Sequence, residues 1–114
     1  TTQNFSTATD SHNTAVGYSA LFNATDSGSG TPNANTAVGM NALLALTSGY
    51  ENVAVGVKAG DNVTTGNQNI YIGDNAGNTH ATGHSCVYVG RANDCSSNSA
   101  NNENVISIQS FSDP

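Results

Sequence analysis

One phrase occurs twice in this chain, and its length limits what the chain can fold into. It reads Gly49-Tyr50-Glu51-Asn52-Val53-Ala54-Val55-Gly56-Val57-Lys58-Ala59-Gly60, then Gly66-Asn67-Gln68-Asn69-Ile70-Tyr71-Ile72-Gly73-Asp74-Asn75-Ala76-Gly77. The offset is 17 residues. A unit that short, built round a run of β-prone residues, cannot bury a core alone. Stacking on its neighbours is what closes it, so each copy reads as one coil of a solenoid.

Carried outwards, the register places glycines at 17, 39, 56, 73 and 90, with Gln109 in the sixth place. The first interval is lengthened around Ser27–Pro32 and the last among Ser96–Asn102, as loops on a solenoid edge tolerate. The leading column is Asn13, Asn35, Asn52, Asn69, Cys86 and Val105. An alanine column, Ala20, Ala42, Ala59 and Ala76, is broken by Asn93. The expected fold is an all-β parallel β-solenoid (a β-roll) of about six coils. Residues 1–12 read as an N-terminal cap or joint, 13–109 as the repeats and 110–114 as a C-terminal tail.

Alternation sorts each strand into two faces. One carries Thr14, Thr36, Val53, Ile70, Val87 and Ile106, and two residues on Val16, Val38, Val55, Ile72, Val89 and Ile108. All are β-branched, as stacked strands favour. This face is expected to be the core. The other carries Ala15, Ala37, Ala54, Tyr71, Tyr88 and Ser107. Its alanines, with Leu21, Leu43, Leu44 and Leu46 nearby, read as a second packing surface covered by other chains of a homotrimer. The aligned Asn13, Asn35, Asn52 and Asn69 are expected to form an internal ladder, each amide bonding to the coils above and below.

Composition narrows the functional classes. Two Lys and Arg stand against eight Asp and Glu, a formal charge of −6, which opposes an electrostatic grip on nucleic acid or an anionic membrane. No run near 18 apolar residues occurs, so no membrane insertion is expected. Cys86 and Cys95 admit a disulfide, which would suit an extracellular setting, or two separate inert thiols. Two such ligands alone make a poor zinc site.

An enzyme needs a convergent cluster of titratable groups. His12 and His84 fall in polar turns, and His80 and His84 stand four apart in text with no helical pattern. Asp61, Asp74 and Asp94 follow strand-ending glycines at different offsets, as turn residues do. No catalytic residue, metal site or cofactor is expected. Tyr71 and Tyr88 stand in one column a coil apart. Turned outwards they would form a two-ring platform for stacking on a sugar; otherwise they replace alanine where the trimer widens, filling space between chains. An ice-binding threonine row is not sustained, because Thr14 and Thr36 give way to Val53, Ile70 and Val87.

The phrase Asn13-Thr14-Ala15-Val16-Gly17-Tyr18-Ser19-Ala20-Leu21, its copies, and the Thr47-Ser48-Gly49 and Thr64-Thr65-Gly66 turns carry a resemblance. They resemble repeats of bacteriophage tail-fibre and tail-spike proteins and the head repeats of trimeric autotransporter adhesins. The resemblance spans most of the chain. It implies a parallel β-roll in each chain, three chains packed as a trimer, and a surface that binds a cell-surface glycan or protein receptor. Its inward Ile/Val positions correspond to Val16, Val38, Val55, Ile72 and Val89, and its asparagine to Asn13, Asn35, Asn52 and Asn69. The 17-residue period is longer than the compact adhesin repeat, and Cys86, Val105 and Gln109 depart from its motif. The expected function is that of a virion or cell-surface fibre module mediating attachment. A self-contained carbohydrate-binding solenoid is the alternative.

Overall fold

The computed structural model describes residues 12–24, 34–79, 81–93 and 106–109. Six three-residue strands lie among them: β1 (Thr14–Val16), β2 (Thr36–Val38), β3 (Val53–Val55), β4 (Ile70–Ile72), β5 (Val87–Val89) and β6 (Ile106–Ile108). They form one parallel sheet in chain order. Every residue pairs with its repeat equivalent: Ala37 with Ala54, Ala54 with Tyr71, Tyr71 with Tyr88. The protein is an all-β parallel β-solenoid whose central coils follow each other at 17 residues.

The return segments stack as regularly as the strands. The Leu43 N–H donates to the Ala59 carbonyl at 3.0 Å, Gly60 to Ala76 at 2.8 Å, and Thr47 to Thr64 at 2.9 Å. Backbone groups outside the strands are therefore paired between coils, as their burial demands.

Turning the chain back within so few residues takes left-handed corners. The residue before the leading column is left-handed at Glu51, Gln68 and Ser85, with φ of 56–60°. So is the second residue after the strand-ending glycine, at Asn41, Lys58 and Asn75. An L-residue there costs about 1 kcal/mol or more. Inter-coil hydrogen bonds offset the strain: Asn41 donates to Tyr18, Lys58 to Met40 and Asn75 to Val57, at 2.8–2.9 Å. The glycine ending each strand meets a harder limit. At Gly56 φ is +136°, and an added Cβ would lie 2.6 Å from the Gly73 carbonyl oxygen of the next coil. Nothing larger fits between coils at strand spacing.

The two faces of the sheet are reversed from the expectation. Ala15, Ala37, Ala54, Tyr71 and Tyr88 are the buried column, whereas Val16, Val38, Val55 and Ile72 are exposed. Val89 is half-buried, and Ile108 is among the most exposed residues described. The β-branched face taken as the core, including the exposed or half-buried column from Thr14 to Ile106, thus stands outside it. Nor is the alanine strip an interface between chains, since it lines the inside of the coil. Width is the physical reason. Opposite the strand the return segment brings Leu21, Leu43 and Leu46 inwards, leaving room at each strand centre only for a methyl group, or for a flat ring where the facing leucine is missing.

That exchange is visible coil by coil. Ala15 and Ala37 are accompanied by buried Leu21 and Leu43, six residues on. At Tyr71 the equivalent position is Gly77, and one coil earlier it is Gly60. An added Cβ at Gly60 would stand 2.9 Å from the Tyr71 ring, and one at Gly77 would run into the same ring. The large side chain thus moves from one wall to the other, the Tyr71 ring filling the space that both Gly60 and Gly77 leave.

Candidate functional site

Three arrangements bear on what the protein does: an internal polar ladder, a pair of buried rings and an exposed apolar sheet face.

The ladder runs up one inner corner. Asn52 Nδ2 donates to Asn35 Oδ1 at 3.0 Å and to the Gly66 carbonyl at 2.8 Å. Its Oδ1 accepts from the Asn69 backbone N–H and from Asn69 Nδ2, both at 3.1 Å. Asn69 repeats the pattern, donating to Gly83 at 2.8 Å. Asn35 donates to Asn13 Oδ1 at 3.2 Å and to Gly49 at 3.0 Å. Asn35, Asn52 and Asn69 are buried, with Asn13 half-buried at the first level. Each central amide uses both donor hydrogens and both acceptor lone pairs, so a buried polar column carries no unmet demand. Cys86 takes the next place in the column. Its backbone N–H donates to Asn69 Oδ1 at 3.0 Å, and its thiol is directed to the His84 carbonyl at 3.3 Å. A thiol cannot supply the second amide donor, so the side-chain ladder stops there. Cys95, the partner considered for a disulfide, lies outside the described residues.

Asn93 and Ser107 make a second polar contact that the repeat pattern alone did not single out. Asn93 Nδ2 donates to the Val89 carbonyl at 3.1 Å and to the Ser107 carbonyl, and Ser107 Oγ donates back to Asn93 Oδ1 at 2.9 Å. The available signal was a double departure. Asn93 breaks the alanine column, and Ser107 breaks the Ala/Tyr column one coil later. Two polar residues entering an apolar interior together satisfy each other.

Tyr71 and Tyr88 are stacked, with ring centroids 5.8 Å apart and planes 1° from parallel. Both are 0 % exposed. They fill the interior of the coil, forming neither an outer platform for a sugar nor a filling between chains, which corrects both readings of this pair. The Tyr71 ring fits because Gly60 and Gly77 leave space beside it.

Among the described residues the titratable groups do not converge. His12 is exposed and His84 half-buried, while His80 and Asp94 lie outside the described residues. Asp74 faces Arg91 at 3.6 Å across adjacent coils, with both side chains largely solvated, a pairing worth little. Among the described residues no three His, Cys, Asp or Glu are grouped to hold a metal ion. No helix there is long and apolar enough to cross a membrane.

Asp61 is the exception among the carboxylates. Its Oδ1 is buried without a hydrogen-bond partner, and desolvation raises its pKa, partly countered by Lys58 and by backbone N–H groups. A raised folded-state pKa means a contribution to stability that is present in acid and lost as pH rises through that pKa. Asp61→Asn is therefore expected to flatten the acid limb of the stability curve. Above the carboxylate range it should stabilise by less than about 1 kcal/mol, after allowance for solvent screening. Urea titrations at acid and neutral pH, followed by circular dichroism, would check both the sign and the size.

What remains outside is the sheet face. Val16, Val38, Val55 and Ile72 are 36–47 % exposed and follow one another at strand spacing. A second column beside them runs from Thr14 and Thr36 to Val53 and Ile70. Neither column contains a charged residue. Beyond the strand-ending glycines stand exposed Tyr18, Met40 and Val57, then Asp74 and Arg91. This face is the candidate interaction surface.

Comparison of the chain with protein-family models, with curated proteins and with solved structures returned no match.

Proposed function

We propose that the protein is a structural and receptor-binding module of a trimeric viral tail fibre or surface adhesin, mediating attachment to a glycan or protein on a cell surface. The observation that carries this reading is the row of β-branched side chains left outside a coil whose interior is already filled. Such a row stays in water in an isolated solenoid, whereas a homotrimer would cover it. The ladder and the close-packed glycine corners support a rigid element suited to displaying a surface. Attachment through three identical chains would sum weak contacts by multivalency. The module acts without catalysis or a cofactor, in a virion fibre or at a cell surface. A self-contained carbohydrate-binding module is the weaker reading, because the ring pair that would serve as its platform is internal.

The test is solution mass by light scattering on the 114-residue chain. Three chains per particle is the expected result. A monodisperse, folded monomer would overturn the fibre reading and return attention to a single-chain binding module.

A further inference from the structure

We infer that Asn62 is an acceptor for an N-linked glycan, with Asn23 a second acceptor in the same column of the return segment. The donor is an oligosaccharide carried on a lipid pyrophosphate, the activated sugar of an export route. The inference goes beyond the attachment reading and stands whether or not chains associate.

Three Asn-x-Ser/Thr triplets occur, beginning at Asn4, Asn23 and Asn62. Asn4 lies outside the described residues. In a chain this rich in Asn and Thr the triplet alone decides nothing; exposure decides. Among the described asparagines Asn23 and Asn62 are exposed, whereas Asn35, Asn52, Asn69 and Asn93 are buried and the rest are half-buried. None of those others has Ser or Thr two residues on. Triplet and exposure therefore coincide at both residues and at no other described asparagine. A bulky, solvated sugar requires that combination.

Local geometry suits the modification. Val63 is buried in the core, between exposed Asn62 and half-buried Thr64. The middle residue thus anchors the turn while the amide and hydroxyl that define the motif stay outside. Asn62 Nδ2 donates to the Asn78 carbonyl of the next coil, and Asn23 Nδ2 to the Leu44 carbonyl at 2.8 Å. An amide nitrogen carries two hydrogens. In the transfer Nδ2 bonds to the sugar C1 and gives up one proton, while the C1–O bond breaks and the pyrophosphate leaves with the electron pair. One N–H remains for the bond between coils. The ladder amides differ, since Asn52 and Asn69 each use both hydrogens inside the coil. Ala45 separates the two acceptors in their column, which sets the glycans two strand steps, about 10 Å, apart. Both stand on the return segment, so the outer face of the sheet stays bare.

The experiment secretes the full chain behind a cleavable export signal from a eukaryotic cell, in an Asn4→Gln background. Amidase release of the glycans in heavy-oxygen water leaves a labelled aspartate at each occupied position, read by peptide mass. Label is expected at Asn62 in most molecules, and at Asn23. Thr64→Val, which keeps the side-chain volume, should abolish the label at Asn62 and leave that at Asn23. The glycosylated chain should keep the strand signal in circular dichroism and the urea midpoint of the Asn62→Gln chain. A folded, secreted chain bare at Asn62 would overturn the inference, as would a glycan confined to material without the strand signal. If little protein is secreted, cell-free translation into microsomes reads the same occupancy as one gel step per glycan. There, failure of Thr64→Val to remove a step would overturn the assignment to Asn62. Particle mass decides the trimer reading separately.

Discussion

Asn52→Asp is expected to destabilise the protein by about 3–5 kcal/mol at neutral pH, the range for a buried polar network broken on one side. The substitution is nearly isosteric, so packing is preserved and only hydrogen-bond polarity changes. Asn52 Oδ1 can go on accepting from Asn69, but the second carboxylate oxygen would face Asn35 Oδ1 at 3.0 Å and the Gly66 carbonyl at 2.8 Å. Two donors are replaced by an acceptor opposed to two acceptors, and a negative charge is buried. Protonation relieves both penalties. The carboxyl will therefore have a folded-state pKa above its unfolded value, and the variant should regain stability as pH falls and lose it as pH rises. Urea titration of the variant and parent chains at acid and neutral pH measures this. A loss below about 1 kcal/mol at neutral pH would mean that the ladder contributes no more than one ordinary hydrogen bond.

The second large effect concerns the exchange between Tyr71 and the glycines beside it. Gly77→Leu should cost more than about 3 kcal/mol. An overpacked core loses 1–3 kcal/mol, and a left-handed position adds to it; φ at Gly77 is +66°. Tyr71→Ala should cost about 3–5 kcal/mol through the cavity it leaves. Combined, the two changes give that coil the alanine and leucine found at Ala37 and Leu43. The double variant is expected to lose clearly less than the sum of the single losses, with a coupling of about 1–3 kcal/mol. Denaturant midpoints for the four chains complete the cycle. Strict additivity would mean that the wall-to-wall exchange of volume is not what holds this part of the core together.

Both expectations come from columns visible in the sequence, yet the two differ in how far the sequence reached. Asn35, Asn52 and Asn69 were legible because a buried amide stacked on its own copy satisfies itself, so chemistry and period point to one arrangement. The Tyr71 column was legible as a column but not as an interior one. Alternation separates two faces of a strand without saying which is inside. The usual guide, that Val and Ile lie within, fails in a coil this narrow. The left-handed corners at Glu51, Lys58 and Gln68 were not legible, since none of those residues favours that conformation. Asn93 and Ser107 could have been found from their coincident departures from two columns.

The sequence by itself determined the repeat, its 17-residue period, the parallel register and the polar column, because each follows from identical short segments stacking at strand spacing. Only the tertiary structure decided which face is interior, where the backbone turns left-handed and which apolar surface is left exposed. Those outcomes depend on the width of the closed coil, which the facing walls of the coil set together and no single strand encodes.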